Sequence, residues 1–590
     1  MSRPVDPKAQ YQVKAHKTKG YMYASTQPSY IDPQTGKKKY RYIHWGILEN
    51  DCKFIPNSTY RAATAEEKES LIFPDGWDLS EVKRLQELFT FAEYHNRLYG
   101  DIWLLEQVAS KTGIRQDLEV VFAGNINIVD DIMTLAMFPY LTRFNYNRVA
   151  RWQRLAKTPS TKELTSTEIT RLTQSITEQH RMDLLKLRAK RLEKGELCAV
   201  DSTTRSAYGY SLSDIRWGKN KENLPLAQTL ETVVYTVSSH MPVYYRTFPG
   251  NMPDSRSLDV ILADLEYAGF RDIVLITDRG YETIHNLEKY ILRGQSMIMC
   301  AKVSQKDAAK AIRQLGEFGT RPAEMMIDPE TKIYYSQYDI AYSSKSINQS
   351  NTNTQLKLNL YFDPIRRSHE LMEMDICLTL QQTALRELLK NNAVLDGDAI
   401  LKRDFCYCNV TYDPATRVIT GFKLNEKKIS KAQGSSGFFS IITNGIDYDA
   451  VKTFKTYGLR DEQEKCFQQM KDQMGSDRQR NWSEEGKTGR LFILFVSLIL
   501  SSYVRNIWKS TKLRDLFSSS LDILDEMRSI RYVEHLNDAK TVITPFVGDQ
   551  VSICEVFGFD IPKGCKPLYT SRYTHTRKKG HPPKQDDPSF

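Results

Sequence analysis

The run Ile273-Val274-Leu275-Ile276-Thr277-Asp278-Arg279-Gly280-Tyr281 constrains the fold of this chain more than any other stretch. Its first four residues are apolar without alternation, so a strand here needs cover on both faces, as a central strand has. It ends in an acid and a flexible glycine. A second short buried run, Leu197 to Thr204, delivers Asp201 into a polar loop in the same way. Thr229 to Val237 and Met241 to Phe248 supply two further strands, rich in β-branched and aromatic residues. Pro249-Gly250-Asn251-Met252-Pro253-Asp254 breaks that pattern, and Ser255 to Ala268 resumes as a helix with Asp254 or Ser255 as its cap. A helix to about Arg293 and a fifth strand, Ser296 to Val303, complete the block.

Three strands, helix, strand, helix, strand, with acids ending the first and fourth strands, is the order of a ribonuclease-H-like α/β fold. Such a fold expects a third acid on the following helix, yet residues 304–456 intervene. They contain β-like runs at Lys332 to Asp339, Leu356 to Phe362, Phe405 to Tyr412, Arg417 to Leu424 and Gly437 to Thr443. We read them as an inserted, largely β domain joined in part by the polar loop Ser343 to Thr354. Tyr457 to Lys471 then reads as one helix, with Tyr457, Arg460, Glu464 and Lys471 within roughly 60° of arc at about 100° per residue. Leu459, Cys466, Phe467 and Met470 occupy the adjoining arc. The polar face therefore carries a phenol, a carboxylate and two cations. Cations suit phosphates and a carboxylate suits a metal ion; a solvated face held by ordinary ion pairs is the competing reading. Gly489 to Lys509 packs beside it as a core helix.

Length and charge place these pieces in a larger plan. At 590 residues the chain is too long for one core. The expected domains are a basic β-rich region at 1–64, a helical DNA-binding or dimerisation region at 65–160, the catalytic domain at 161–302 and 451–545, the β-rich insertion at 303–450, and a basic tail at 546–590. Net charge is +10, and residues 1–64 hold 11 Lys and Arg against four acids. Basic ends on a near-neutral body imply a polyanion, nucleic acid before an anionic membrane. The turn Asp32-Pro33-Gln34-Thr35-Gly36 and the return strand with Lys37, Lys38, Lys39 and Arg41 form a β-hairpin. Two readings fit it: a strip along a DNA backbone, or an edge strand guarded by lysines. Ile102 to Ser110, Gly113, and Ile114 to Phe122 form helix, turn, helix, either a DNA reader or a packing pair. Thr165 to Lys194 reads as one long charged helix. Nine scattered Cys read as free thiols of a reducing cytosol. The amino terminus lacks a signal-peptide core, and Leu491 to Val504 falls short of a membrane span. The expected location is therefore cytoplasmic, with no membrane partner.

The spacing Tyr457, Arg460, Glu464, Lys471 resembles the signature of transposases of the insertion-sequence 4 superfamily. The resemblance extends over residues 195–510, through the Asp201 strand, the Pro249-Gly250-Asn251 turn with Asp254, and Asp278-Arg279-Gly280-Tyr281. It is most similar to the group with long insertions, such as the insertion-sequence 1634 group. It implies a triad of Asp201, Asp278 and Glu464 holding two Mg²⁺ or Mn²⁺ ions, with Asp201 bridging both. It implies double-stranded DNA as partner, both transposon ends and target, a homodimer on that DNA, and a prokaryotic, nucleoid-associated protein. Cut-and-paste transfer through a hairpin would place Tyr457, Arg460 and Lys471 at phosphates beside a flipped base, with Arg279 and Asn251 also at DNA. One departure stands out: the chain has no Trp between Asp278 and Glu464 to hold that base, which leaves Phe405, Tyr407 or Phe438. A transposase-derived binding protein that no longer cuts and a two-metal nuclease without strand transfer are the alternatives. A tyrosine recombinase would need His-x-x-Arg, and no His is followed by Arg at that spacing.

Overall fold

The computed structural model describes residues 10–18, 20–33, 35–83, 94–209, 211–219, 224–315, 325–342, 355–394, 404–461, 478–479, 483–535, 541–562 and 565. Two compact units emerge, one built from residues 1–97, 530–545 and 564–566, the other from 98–529, 546–563 and 567–590.

In the first unit, β1 (Lys14–Thr18), β2 (Tyr21–Thr26), β5 (Ile43–Glu49) and β6 (Lys53–Pro56) form an antiparallel sheet in that spatial order, while β3 (Ser29–Ile31) and β4 (Lys38–Tyr40) form a separate pair. The pleat sends Ala24 and Trp45 inward to pack with Val13, Leu48, Phe54 and Tyr60. The expected hairpin is present: Tyr30 faces Lys39, and Asp32 N donates to Lys37 O at 3.0 Å to close the turn. A third sheet joins β7 (Tyr94–Leu98) to Arg531–His535 and Thr541–Ile543.

The second unit opens with helices α1 (Gly100–Lys111), α2 (Ile114–Val121) and α3 (Ile126–Thr142). Gly113, at φ +71°, makes the left-handed step between α1 and α2. Their apolar faces are buried, and Asp117 of α2 pairs with Arg188 at 3.2 Å and Arg191 at 2.6 Å, so the described contacts are those of a packed helix pair. The single long helix expected over Thr165 to Lys194 is instead two, α4 (Ser166–Ser175) and α5 (Glu178–Ala189). Thr177 starts α5: its hydroxyl accepts from His180 N, and His180 Nδ1 accepts from Thr177 N at 3.0 Å.

The ten-stranded sheet of this unit is assembled from β8 (Leu197–Ala207), β9 (Gln228–Thr236), β10 (Pro242–Pro249), β11 (Val274–Thr277), β12 (Ser296–Ala301), β13 (Met326–Ile327), β14 (Tyr334–Ala341), β15 (Gln355–Phe362) and β18 (Phe438–Asn444), with Arg478–Gln479 pairing off the main path. Helices α6 (Asp254–Ala268) and α7 (Ile284–Leu292) connect β10 to β11 and β11 to β12. The order is β10-β9-β8-β11-β12-β18-β15-β14-β13. β8, β11 and β12 are parallel neighbours, and the other pairs along this path are antiparallel. The five strands read from sequence thus sit side by side. The cap of α6 differs from expectation: Pro253 occupies that position and Asp254 lies in the first turn.

The segment expected to be a largely β insertion is mixed. It contains α8 (Lys306–Gln314), α9 (Pro364–Lys390) and α10 (Glu426–Ser435), and only β16 (Cys408–Tyr412) and β17 (Ile419–Leu424) form a sheet of their own. β14, β15 and β18 extend the main sheet, because their apolar faces continue the core through Tyr361 and Ile441 beside Ile298. After them come α11 (Ala450–Gly458) and α12 (Glu484–Ser510). By length and composition α12 is apolar enough to cross a membrane, yet 72% of its apolar window is buried. It packs on the sheet through Phe495, whose ring centroid is 4.7 Å from that of Tyr245. Each such buried side chain contributes about 1.5–3 kcal/mol.

Candidate active site

The parallel pairing of β8 and β11 sets Val200 beside Thr277. Asp201, within β8, and Asp278, directly after β11, are the next residues, so their backbones stand at about the same level, about 4.8 Å apart. Each is fixed by the backbone just after it. Asp201 Oδ1 accepts from Ser202 N at 2.8 Å, and Asp278 Oδ1 accepts from Arg279 N at 2.6 Å. Asp278 caps a single 3₁₀ turn, Arg279–Tyr281, which explains why an acid and a glycine end the strand.

Behind the acids a buried polar network ties β8 and β9 to the turn after Asp278. Ser202 Oγ lies 2.7 Å from Thr232 Oγ1 and also bonds the Tyr281 hydroxyl. Tyr281 is 1% exposed, and burial, with the Asp254 charge next, holds its phenol well above the usual range, so it stays neutral. Asn286 donates to the carbonyls of Tyr281 and Ser255, each at 2.7 Å, fastening the start of α6 to the Asp278 loop. The Asp254 carboxylate lies against Gly280, where a Cβ would be 3.1 Å from Oδ2. Neither Tyr281 nor Ser202 is legible as a site residue from sequence; their adjacency to the two acids is the available signal.

The carboxyl end of α11 reaches the second acid. Tyr457 Oη donates to Asp278 Oδ1 at 3.4 Å, and Arg460 Nη1 lies 3.1 Å from the same oxygen. Burial raises the Tyr457 phenol beyond its usual range, with the Cys300 thiol adding to the effect, which keeps it a donor. Arg279 N, Tyr457 Oη and Arg460 Nη1 thus converge on Oδ1 of Asp278. The continuous helix expected from Tyr457 onward is interrupted here: α11 ends at Gly458, and Leu459–Asp461 is a 3₁₀ turn. Glu464 and Lys471 lie outside the described residues.

A cleft of about 710 Å³ opens beside Asp278, and its lining includes Arg279, Tyr457, Arg366, Tyr407 and Phe438. Arg279 is exposed in this cleft, and the cap of the following helix is Thr283. Tyr407 and Phe438 thus share the cleft with Asp278, whereas Phe405 is buried in a small core with Leu385, Cys408 and Ile419. Asn251 is exposed in the turn leading into α6. That turn is clamped from below, because Gln228 Nε2 donates to Gly250 O at 3.0 Å. Lys37, Lys38, Lys39 and Arg41 are exposed on the hairpin of the first unit and are not among the groups gathered at Asp278.

The donor chemistry suits a hard divalent cation, which takes carboxylate oxygens at sites open to water and phosphate. Asp201 and Asp278 supply two such groups, and the Asp278 side chain is 44% exposed. Among the described residues, no group of three or more His, Cys, Asp and Glu converges on one point.

A family model described as the transposase DDE domain matches residues 193–500. No curated protein matches the chain. Among solved structures, the chain is similar to one titled "Cryo-EM structure of piggyBac transposase synaptic complex with hairpin DNA (SNHP)", with 8% identity, a TM-score of 0.33, and coverage of 67% of this chain and 68% of that one.

Proposed function

The chain belongs to the transposase DDE domain family, and from that premise we propose that it is a DNA transposase that cleaves transposon ends and joins them to target DNA. The observation that carries this proposal is that Asp201 and Asp278 directly follow the paired residues Val200 and Thr277 of parallel strands, with Tyr457 and Arg460 brought to Asp278 from a distant segment. The order β10-β9-β8-β11-β12 supports a ribonuclease-H-like core. The Tyr457 and Arg460 contacts support the insertion-sequence 4 superfamily, in the group with a long insertion.

In this mechanism Asp201, Asp278 and Glu464 would hold two divalent ions, Mg²⁺ or Mn²⁺, which supply activation of water and stabilisation of charge on the phosphate oxygens. The protein's own part is positional. Arg279 N, Tyr457 and Arg460 draw on Oδ1 of Asp278 and orient its carboxylate. The guanidinium of Arg460 and the ammonium of Lys471 are of the donor type that binds phosphate. Hydrolysis breaks the phosphodiester at the transposon end and leaves a 3′-hydroxyl. That hydroxyl attacks the opposite strand and displaces the 3′-oxygen of the flanking DNA to give a hairpin, a second water breaks the hairpin phosphodiester and restores the 3′-hydroxyl, and this hydroxyl then attacks a target phosphodiester and displaces its 3′-oxygen. Tyr407 lines the cleft beside Asp278 and is half-buried, which supports it over the buried Phe405 and Phe438 as the holder of an extruded base. Two copies on paired ends, at the nucleoid of a prokaryotic cytoplasm, complete the proposal.

The test is incubation of the purified protein with end-labelled DNA carrying a transposon end, with Mg²⁺ or with EDTA. Expected are nicking, hairpin and joined products that require the divalent ion. Binding without any cleavage would instead favour a transposase-derived binding protein, and cleavage without joining a plain nuclease.

A further inference from the structure

Two thiols from distant parts of the inserted segment meet at one buried amide. Cys377 and Gln381 stand four residues apart on α9 and so share a face of it. Gln381 is 7% exposed, and its Nε2 lies 3.2 Å from Cys377 Sγ and 3.4 Å from Cys406 Sγ. Because both sulfurs touch the same nitrogen, they are at most about 6.6 Å apart. The other end of the amide holds the next residue, since Gln381 Oε1 accepts from Tyr407 N at 3.1 Å. From the side of α10, Lys428 Nζ donates to Cys406 O at 3.1 Å and Asn425 N donates to Tyr407 O at 2.9 Å. The turn that carries Cys406 is thus fixed against two helices.

A third cysteine, Cys408, is explained by packing alone. It is buried in the small core of Leu385, Phe405 and Ile419, where a thiol behaves as a small apolar group. Burial pushes its thiol up, with Cys406 and Cys377 adding to the effect, so it offers little of the thiolate that reacts. Cys377 and Cys406 escape the packing explanation, because both are only half-buried and both sit on a polar amide. A metal site is disfavoured as well: among the described residues no three ligand side chains converge. We propose that Cys377 and Cys406 are a redox-active pair that a peroxide converts, reversibly, to a disulfide joining α9 to the turn that bears Tyr407.

The chemistry balances with hydrogen peroxide as the oxidant. One sulfur attacks a peroxide oxygen, the O–O bond breaks, and water leaves behind a sulfenic acid. The second sulfur attacks that sulfur, the S–O bond breaks, and a second water departs. The two thiols lose two protons and two electrons, and the peroxide becomes two waters. The gap is within reach of side-chain rotation, since a change of χ1 rotamer carries a sulfur by about 3 Å and the bond needs the pair at about 2.05 Å. Displacing the Gln381 amide gives up only contacts to sulfur, a weak acceptor. None of these steps rests on the transposase proposal.

The experiment treats the folded full chain with hydrogen peroxide in EDTA, alkylates the remaining thiols, digests with trypsin without reductant and analyses the peptides by mass spectrometry. Cys377 falls in the peptide 368–386, and Cys406 falls with Cys408 in the peptide 404–417. The expected product is these two peptides linked, two hydrogens lighter than their sum, and separated again by dithiothreitol. Cys408→Ala should keep the link, whereas Cys377→Ser and Cys406→Ser should each lose it, with circular dichroism unchanged in all three. No linked pair from the folded wild type would overturn the proposal, as would a link that forms only in urea or one that survives Cys406→Ser and is lost in Cys408→Ala. DNA cleavage is not read in this assay, so each of those results leaves the transposase proposal standing.

Discussion

Arg460 Nη1 lies 3.1 Å from Oδ1 of Asp278, although the two residues are separated by the whole inserted segment. The Arg460 side chain is only 14% exposed, so this cation is held at the acid. Arg460→Ala should therefore lower the rate of end cleavage by about 100-fold, the usual scale for losing one preorganised donor, while initial end affinity changes little. Lys471→Ala should rank the same way. Gel-shift and single-turnover cleavage assays on the same DNA check the order; a larger effect on binding than on cleavage would place these residues elsewhere.

Tyr281 joins the loop after Asp278 to Ser202, the neighbour of Asp201. Tyr281→Phe preserves the packing and removes one bond between buried groups, so a stability loss of about 1 kcal/mol is expected. If the network sets the separation of the acids, the Mg²⁺ concentration for half-maximal cleavage should also rise several-fold. A stability loss with an unchanged Mg²⁺ requirement would reduce the network to a purely structural role.

Gly489 of α12 rests on α4 with no room for a side chain: a Cβ would lie 2.0 Å from Thr173 O and 2.6 Å from its Cα. Both atoms are backbone, so the helices must separate. Gly489→Ala is expected to cost about 1–3 kcal/mol despite the better helix propensity of alanine. Chemical denaturation measures it, and a neutral or stabilising result would contradict this packing.

Burial raises the Glu106 carboxyl from its ordinary value of 4.5 to about 7, against the opposing pull of Arg115. The folded state thus favours the protonated acid. Its contribution is complete below about pH 4.5 and is lost as the pH rises through about 7. Glu106→Gln should therefore gain on the wild type between pH 4 and pH 8, by on the order of 3 kcal/mol. Urea melts at the two pH values test this, and an equal difference at both would exclude the shift.

What is legible in the sequence follows local pattern. Ile273 to Thr277 and Leu197 to Thr204 declare themselves as covered strands, and Asp278 follows its strand as expected, but Asp201 does not end the first one: β8 continues to Ala207 because β9 pairs with it as far as Ser206. Partnership is less legible. Nothing in Leu356 to Phe362 or Gly437 to Thr443 says that they extend the main sheet, because strand pairing is set by distant residues. The helix α9 is hidden for a different reason. Ile365, Met372, Ile376 and Leu380 are exposed, so no clean apolar stripe marks it; its one signal is Asp363-Pro364, cap and first turn. The break before α5 is masked because His180 stands where a capping box usually carries Glu or Gln. At the site, spacing alone singles out Tyr457 and Arg460, but their convergence on Asp278 comes with the 3₁₀ turn Leu459–Asp461 that follows α11.

The most direct measurement is divalent-dependent cleavage of end-containing DNA by Asp201→Ala, Asp278→Ala and Glu464→Gln beside the wild type, at matched DNA occupancy. One shared ion pocket requires that all three variants bind the end and that none cuts it. Wild-type cleavage by any one of them would show that its carboxylate is not part of that pocket.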